Sequence, residues 1–154
     1  MESRLRFTPG PRTGVRAPGG RGPSLSEEEA IFLKERDLPV IWARDLRKAP
    51  EKALEHLETF VKEGPLYLSL DLDVLDPAEA PGVGTPEPGG LSWYEILDIL
   101  RLVAQAEVVG LDLVELLPLP GDPRTEYLAA RLLFKFLAYL SASRKRKDAE
   151  DRSH

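Results

Sequence analysis

Hydrophobic residues recur along the chain at two spacings, one typical of strands and one typical of helices. Short apolar or alternating runs predict strands at 39–43, 66–75 and 108–117. Apolar positions three or four residues apart predict helices at 26–37, between Pro50 and Gly64, at 92–105 and at 123–141. Strands separated by helices of a dozen residues or more usually pair in parallel. The sequence therefore predicts an α/β fold with helices packed against a parallel sheet.

Three of the predicted helices begin with a capping signal. Ser26 and Ser92 are each followed three residues later by a glutamate, which is the spacing of a capping box. Asp122 precedes Pro123, an order that suits an N-cap followed by the first helical position. These signals locate the loops between the strands and the helices.

Composition divides the 154-residue chain, which has the length of one domain, into three parts. Residues 1–23 contain five arginines, four prolines, five glycines and one acid, so this segment is predicted to be irregular. Residues 24–141 form the predicted α/β domain, and residues 142–154 form a charged tail. The alternative for the first segment is a nucleic-acid arm, but its only aromatic residue is Phe7 and the net charge is −5. No nucleic-acid partner is expected.

The chain contains no cysteine and two histidines, so any metal ion must be held by oxygen or imidazole ligands. His56 lies off the apolar stripe of its helix and is predicted to be a solvated surface residue, and the second histidine is His154. No apolar run approaches the roughly 18 residues that span a bilayer, and the first ten residues lack the apolar stretch of a signal peptide. A cytoplasmic protein without a membrane partner is expected.

Asp71 and Asp73 are the leading candidates for chemistry. They lie two residues apart in a predicted strand, so both carboxylates should share one face, where they repel each other unless a cation lies between them. Hard ions such as Mn²⁺ or Mg²⁺ accept such oxygen ligands. The alternative is a strand end and turn that bind nothing. Asp76 is interpreted as a turn residue, and Glu115, at the carboxyl end of the next predicted strand, as either a surface acid or a further functional acid.

Two other families place aspartates in a similar way. Haloacid-dehalogenase phosphatases have an Asp-x-Asp pair after an apolar strand, but usually have Thr or Val where this chain has Leu75. An EF-hand loop needs glycine where Asp76 stands and a glutamate later in the loop. The first family fits weakly, and the second does not fit.

The stretch SLDLDVLDPAEAPGVGTPEPGGLS at 69–92 resembles the ureohydrolase signature of the arginase/agmatinase family. That signature has a serine, two metal-ligand aspartates, an Asp-Pro pair and a Gly-Thr-Pro-x-x-Gly-Gly loop in this order. The segments at 14–16, 26–46 and 108–118 are also similar to the family, so the resemblance covers roughly residues 14–141 and corresponds to the carboxyl-terminal part of the family domain. It implies a three-layer αβα parallel sheet, incomplete in this chain.

The resemblance also implies a reaction. Family enzymes use a binuclear manganese centre to activate a hydroxide that attacks a guanidinium carbon and releases urea. Asp71 and Asp73 match metal ligands, and Glu115 matches the glutamate that binds the substrate guanidinium. Thr85 and Glu87 lie in the loop after the ligands and are weaker candidates for the substrate pocket. The alternative is that this glycine- and proline-rich loop is only a rigid turn. The stretches TPEPGGLSWYE and TEYLAARLLFK are more similar to the agmatinase branch, which implies agmatine, cleaved to putrescine and urea, as the small-molecule substrate.

The family's other ligand segments, Gly-Gly-Asp-His and Asp-Ala-His-x-Asp, have no match in this sequence. The manganese centre is therefore expected to be incomplete, and the chain alone is expected to be inactive. A truncated gene product, a frameshifted one and a true split subunit would each give such a chain. A homo-oligomer or a complementary amino-terminal fragment is the expected partner. The alternative function is a noncatalytic remnant or interaction subunit that needs a partner chain.

Overall fold

A computed structural model describes residues 4–7, 14–16, 31, 35, 40–62 and 64–153. Among these residues, five strands form one sheet. They are β1 (Arg4–Phe7), β2 (Gly14–Arg16), β3 (Val40–Trp42), β4 (Leu66–Asp71) and β5 (Val108–Val114). The strand order across the sheet is β3-β1-β2-β4-β5, which leaves β5 as an outer strand.

The sheet combines parallel and antiparallel pairs. β4 and β5 are parallel, as the helical connections predict. β2, which was not predicted as a strand, is parallel to β4, and β1 is antiparallel to both of its neighbours, β2 and β3. β1 and β2 lie inside the segment 1–23, whose composition predicted irregular structure. Pairing with neighbouring strands satisfies their backbone hydrogen-bonding groups, and composition alone does not register such long-range pairing.

Four α-helices complete the described structure. They are α1 (Ala43–Lys48), α2 (Pro50–Val61), α3 (Trp93–Val103) and α4 (Arg124–Asp151). The capping box predicted for α3 is confirmed, because Ser92 and Glu95 each accept a hydrogen bond from the backbone N–H of the other. Of the helix predicted at 26–37, Ile31 and Glu35 are helical, and the rest lies outside the described residues.

The last helix is longer than the sequence predicted. Its N-cap position is Pro123 rather than Asp122, although Asp122 still accepts a hydrogen bond from the backbone N–H of Arg124 at 3.3 Å. The helix continues to Asp151, so most of the predicted charged tail at 142–154 is the end of α4. Ser143 is buried in this extension, and Lys147 Nζ donates to the backbone oxygen of Gln105 at 2.8 Å, just beyond α3.

β4 supplies the centre of the hydrophobic core. Leu66, Leu68 and Leu70 alternate with more exposed residues, as predicted, and are at most 2% exposed. They belong to the same buried cluster as residues from all four helices. None of the helices in the described ranges is long and apolar enough to cross a membrane.

Candidate metal and substrate site

Asp71 and Asp73 lie at the carboxyl end of β4, where the strand turns into a short 3-10 helix over Leu72–Val74. Asp71 caps this helix, because its Oδ1 accepts a hydrogen bond of 2.9 Å from the backbone N–H of Asp73. The predicted arrangement, two carboxylates on one face of a continuous strand, is therefore replaced by a turn. An aspartate side chain that bonds the backbone two residues ahead favours such a turn over continued strand.

Both carboxylates are buried, with Asp71 2% and Asp73 7% exposed. Asp73 Oδ2 accepts two hydrogen bonds from Thr85, one from the backbone N–H at 3.1 Å and one from the hydroxyl. Asp73 Oδ1 is also buried but has no hydrogen-bond partner. A buried carboxylate oxygen without a donor is costly, and a bound cation is one of the few groups that can compensate for it. The donor chemistry of this pair therefore fits a hard divalent ion.

The two aspartates form a small ligand set. Within the part of the chain that the structure describes, no group of three or more His, Cys, Asp or Glu side chains is arranged to hold a metal ion. His56 is exposed on α2, as predicted for a surface residue, and His154 lies outside the described residues. A complete coordination shell would need further ligands beyond Asp71 and Asp73.

Glu115 follows directly after β5 in an unusual backbone conformation. Its backbone φ angle is 64°, a left-handed value that residues other than glycine rarely adopt. The backbone just after Glu115 pairs with the loop at 82–85. The N–H of Leu117 donates to the backbone oxygen of Gly82 at 2.9 Å, and Val83 forms an antiparallel bridge with Leu116. A strained residue fixed at a strand end is a recurrent feature of functional sites. Sequence patterns gave no sign of this strain.

The same loop brings the candidate residues together. A Cβ atom added to Gly84 would lie 2.6 Å from Glu115 Oε2, so the glutamate carboxylate occupies the space that the missing side chain leaves. The next residue, Thr85, contacts Asp73. Glu87 is half-buried in the same loop. Gly84 was not singled out from the sequence, although the Gly-Thr pair was part of the signature that the loop resembles.

α4 anchors this loop from the other side. The backbone N–H of Gly82 donates to Thr125 Oγ1 at 2.8 Å, and Thr125 is fully buried in the first turn of α4. A Cβ at Gly82 would meet the backbone oxygen of Leu117 at 2.8 Å and the Thr125 side chain, so the three segments are closely packed. The position of the loop is thus determined by the strand extension and the helix together.

Asp76 has the structural role predicted for it. Its Oδ1 accepts from the backbone N–H of Ala78 at 3.0 Å, and its Oδ2 accepts from that of Gly89 at 2.9 Å. The Ala78 hydrogen bond, followed by that of Gly89, lowers the pKa of this carboxyl below its ordinary value, with a smaller contribution from the charge of Arg47. The hydrogen bonds that the ionised side chain accepts therefore connect the beginning and the end of the loop between β4 and α3.

The Asp76→Asn variant should be less stable than the wild type at neutral pH, because an amide NH₂ group cannot accept a hydrogen bond. The folded-state pKa of Asp76 is depressed, so its contribution is complete above the ordinary carboxyl pKa of 3.8 and disappears as the pH falls through the lower folded value. Urea unfolding at pH 7 should show a loss of about 1 kcal/mol, and the difference should shrink below pH ~4. A difference that stays constant with pH would contradict this account.

A second polar cluster joins β4 to β5. Tyr67 Oη donates to Asp112 Oδ2 at 2.8 Å, and Ser69 Oγ donates to Asp112 Oδ1 at 2.6 Å. The Asp112 hydrogen bond raises the pKa of Tyr67. Ser69 and Asp112 are register partners, and Gly110 leaves room for the Tyr67 ring. The cluster fixes the alignment of the strands that carry Asp71 and Glu115, and strand alternation in the sequence could have revealed it.

Comparison with protein families places these observations in context. The model of the arginase family matches residues 13–138 of this chain. An N(1)-aminopropylagmatine ureohydrolase of Synechocystis is 38% identical over 125 residues, which are 80% of this chain and 40% of that protein. A mitochondrial agmatinase of Gallus gallus is 47% identical over 124 residues, which are 79% of this chain and 36% of that protein.

Solved structures give the same result for the fold. An agmatine ureohydrolase of Thermoplasma volcanium is 35% identical with a TM-score of 0.61, over 68% of this chain and 35% of that chain. An arginase of Bacillus caldovelox is 31% identical with a TM-score of 0.66, over 73% of this chain and 40% of that chain. This chain thus spans 40% or less of each of the four proteins named here.

Proposed function

Because this chain belongs to the arginase family, we propose that it forms part of an active site that hydrolyses a guanidino compound with the help of manganese. Agmatine, cleaved to putrescine and urea, is the proposed substrate. The observation that carries the proposal is the buried, unpaired Oδ1 of Asp73 beside the buried carboxylate of Asp71. The fold class, α/β with an incomplete arginase-like sheet, agrees with it.

Asp71 and Asp73 would hold the metal, which in this family is a pair of manganese ions. When bound, such ions lower the pKa of water and so supply a nucleophile near neutral pH. The contribution of the chain is to present two carboxylates at the end of β4, where Asp71 accepts a hydrogen bond from the backbone N–H of Asp73. Burial excludes competing water from both carboxylates.

Glu115 would bind the substrate guanidinium. A carboxylate pairs with a guanidinium through two parallel N–H···O bonds, which fix orientation as well as charge. The left-handed backbone of Glu115 accompanies a side chain whose carboxylate lies against Gly84, in the loop whose Thr85 contacts Asp73. The loop at 82–85 therefore contacts both Glu115, the proposed substrate ligand, and Asp73, a proposed metal ligand. Thr85, a weaker candidate for a substrate contact, follows Gly84 in this loop and contacts Asp73.

The choice of agmatine rests on similarity to proteins named for amines rather than amino acids. Two of the similar proteins carry the names agmatinase and N(1)-aminopropylagmatine ureohydrolase. Both names describe guanidino compounds that lack the α-carboxylate of arginine. Among the described residues that surround Glu115, the neighbouring strand extension offers apolar side chains, Leu116 and Leu117. Such a surface suits an alkyl chain better than a carboxylate.

We propose that the chain needs a partner to act. Two carboxylates cannot complete a binuclear centre, so the remaining ligands would come from another segment, either of a longer chain or of a separate one. We propose that this segment docks beside β5. A homo-oligomer is the other proposed assembly. The second candidate function, a noncatalytic subunit that binds such a segment, is favoured by the exposed apolar side chains of Val109, Leu117 and their neighbours.

The isolated chain should bind Mn²⁺ weakly, with a dissociation constant on the order of 1 mM, because two carboxylates leave most of the coordination shell to water. Isothermal titration calorimetry should detect this binding, and replacement of both Asp71 and Asp73 by alanine should abolish it. Asp98→Asn is a matched control, since this carboxylate is exposed on α3, pairs with Arg101 and lies outside the proposed site. A tight site that survives the double replacement would show that the ligands are wrongly assigned.

A further inference from the structure

We infer that Arg47 is a positioning residue for the candidate site, because it holds the end of the loop between β4 and α3 against the backbone that follows Asp71 and Asp73. The inference rests on the proposed function, since it assigns a role in the same site. Arg47 lies in the last turn of α1, far from the two aspartates in the sequence. No sequence pattern singled it out.

Arg47 contacts two other elements through different nitrogens of its guanidinium. Nη2 donates a hydrogen bond to the backbone oxygen of Gly90, at the end of the loop. Nε lies 3.4 Å from Glu95 Oε1. The other oxygen of Glu95, Oε2, accepts from the backbone N–H of Ser92 at 2.7 Å in the capping box of α3. The guanidinium therefore joins α1 to the loop end and to the first turn of α3.

Gly90 is packed against the backbone just beyond the two aspartates. A Cβ atom added to Gly90 would overlap the backbone of Leu75, so no larger residue fits there without a shift. The N–H of the next residue, Leu91, donates to the backbone oxygen of Val74 at 2.8 Å, and Val74 directly follows Asp73. A shift of the loop end would therefore disturb the turn that carries the aspartates.

The segment between Gly90 and Thr85 is stiff, which gives a second route to the site. Pro86 and Pro88 lie in this segment, and each proline ring fixes its own φ angle near −65°. A stiff segment passes on a displacement at one end instead of absorbing it. Since the backbone N–H of Thr85 donates to Asp73 Oδ2 at 3.1 Å, a shift at Gly90 would also disturb this hydrogen bond.

Replacement of Arg47 should leave the chain folded. Its side chain is 43% exposed and lies in the wall of an open cavity of about 280 Å³ between α1, α2 and α3, rather than in the hydrophobic core. Asp76, which accepts from the backbone N–H of Gly89 at 2.9 Å, would still hold the loop end from its other side. A change at Arg47 therefore tests the position of the loop and not the existence of the fold.

Hydrogen exchange of the dilute isolated chain, measured by mass spectrometry, tests the inference without metal or substrate. Arg47→Met keeps the length of the side chain but removes its donors, so a peptide covering 82–90 should exchange about tenfold faster than in the wild type. A peptide covering 66–70 in β4 should stay within about twofold. Arg47→Lys keeps the charge but not the planar fork and should give an intermediate rate. Arg101→Met is the matched control, because Arg101 pairs with exposed Asp98 instead, and both peptides should be unchanged.

Activity gives a second measurement, in an assembly with an amino-terminal segment that supplies the missing ligands. Arg47→Met should lower kcat for agmatine about tenfold at a temperature well below melting, where a residue that only stabilised the fold would leave kcat unchanged. Equal acceleration of exchange in both peptides, acceleration in neither, or an unchanged kcat would overturn the inference. A wild-type assembly that binds no Mn²⁺ and releases no urea would contradict the proposed function, and the exchange comparison would still decide whether Arg47 holds the loop.

Discussion

Coexpression of this chain with an amino-terminal segment from a similar agmatinase should produce manganese-dependent release of urea from agmatine, whereas the chain alone should release none. The segment must contain the Gly-Gly-Asp-His and Asp-Ala-His-x-Asp motifs. These motifs would supply the metal ligands that are needed in addition to Asp71 and Asp73. The expected change is from no detectable turnover to turnover, larger than any effect of a single substitution. A colorimetric urea assay with and without manganese measures it.

The outer side of β5 is the docking surface that we propose for this segment. An outer strand presents backbone donors and acceptors that can pair with an added strand. Val109 is 64% exposed and Leu117 54% exposed, and Val114 and Leu116 are also exposed. Apolar side chains beside an open strand edge favour association with another chain. We therefore expect the isolated chain to self-associate or aggregate, and the coexpressed segment to increase its solubility.

Two controls make the complementation result specific. A chain in which Asp71 and Asp73 are both replaced by alanine should still pair with the segment but should release no urea. Light scattering should report a defined complex for both versions. A stable monomer of the isolated chain at high concentration, together with no complex and no urea release on coexpression, would mean that these residues form an independent, noncatalytic unit.

In the complemented assembly, Gly84→Ala should lower kcat/KM for agmatine about 10- to 100-fold while leaving the melting temperature nearly unchanged. The added Cβ would lie 2.6 Å from Glu115 Oε2, which is the flexible end of an exposed side chain and can move at little cost in stability. The displaced carboxylate would lose its charged hydrogen bonds to the guanidinium, each contributing about 1.5–3 kcal/mol. The Gly84→Ala variant should therefore lose activity without a comparable loss of stability.

Comparison variants identify the cause. Glu115→Gln should lower kcat/KM by a similar factor, and adding Gly84→Ala to it should cause little further loss, because both changes act on one carboxylate. Gly82→Ala should behave differently. Its Cβ would meet the backbone oxygen of Leu117 and the buried Thr125, so this variant should lose stability as well as activity. Full activity of Gly84→Ala would remove Glu115 from the substrate site.

The elements that the sequence predicted are those determined by local patterns. The alternation of leucines in β4 and the Ser92–Glu95 capping box each depend on residues within a few positions, and both are confirmed. The end of α4 was missed because a run of charged residues was interpreted as a tail. Arg144 and Asp148 lie four residues apart in that run, a spacing that supports a helix, and most of its residues are good helix formers.

The features that escaped prediction depend on long-range contacts. The composition of residues 1–23 does not indicate that β1 pairs with β3 or that β2 pairs with β4. The contact between Thr85 and Asp73 depends on how the loop folds back, and the left-handed backbone of Glu115 depends on the bridge between Val83 and Leu116. The resemblance identified candidate residues, but their geometry required the fold. The roles of Asp71, Asp73, Glu115 and Thr85 remain predictions.

The length of α4 determines how a partner segment could be joined covalently to this chain. The helix has 28 residues and so separates its two ends by about 40 Å. Thr125, at its start, touches the loop of the candidate site, whereas Asp151 is near the other end. A flexible Gly/Ser linker has an average span of about 5–6 Å times the square root of its residue number, so roughly fifty residues match the distance from Asp151 back to the site. A fusion whose linker has fewer than about a dozen residues could not reach the site even when fully extended.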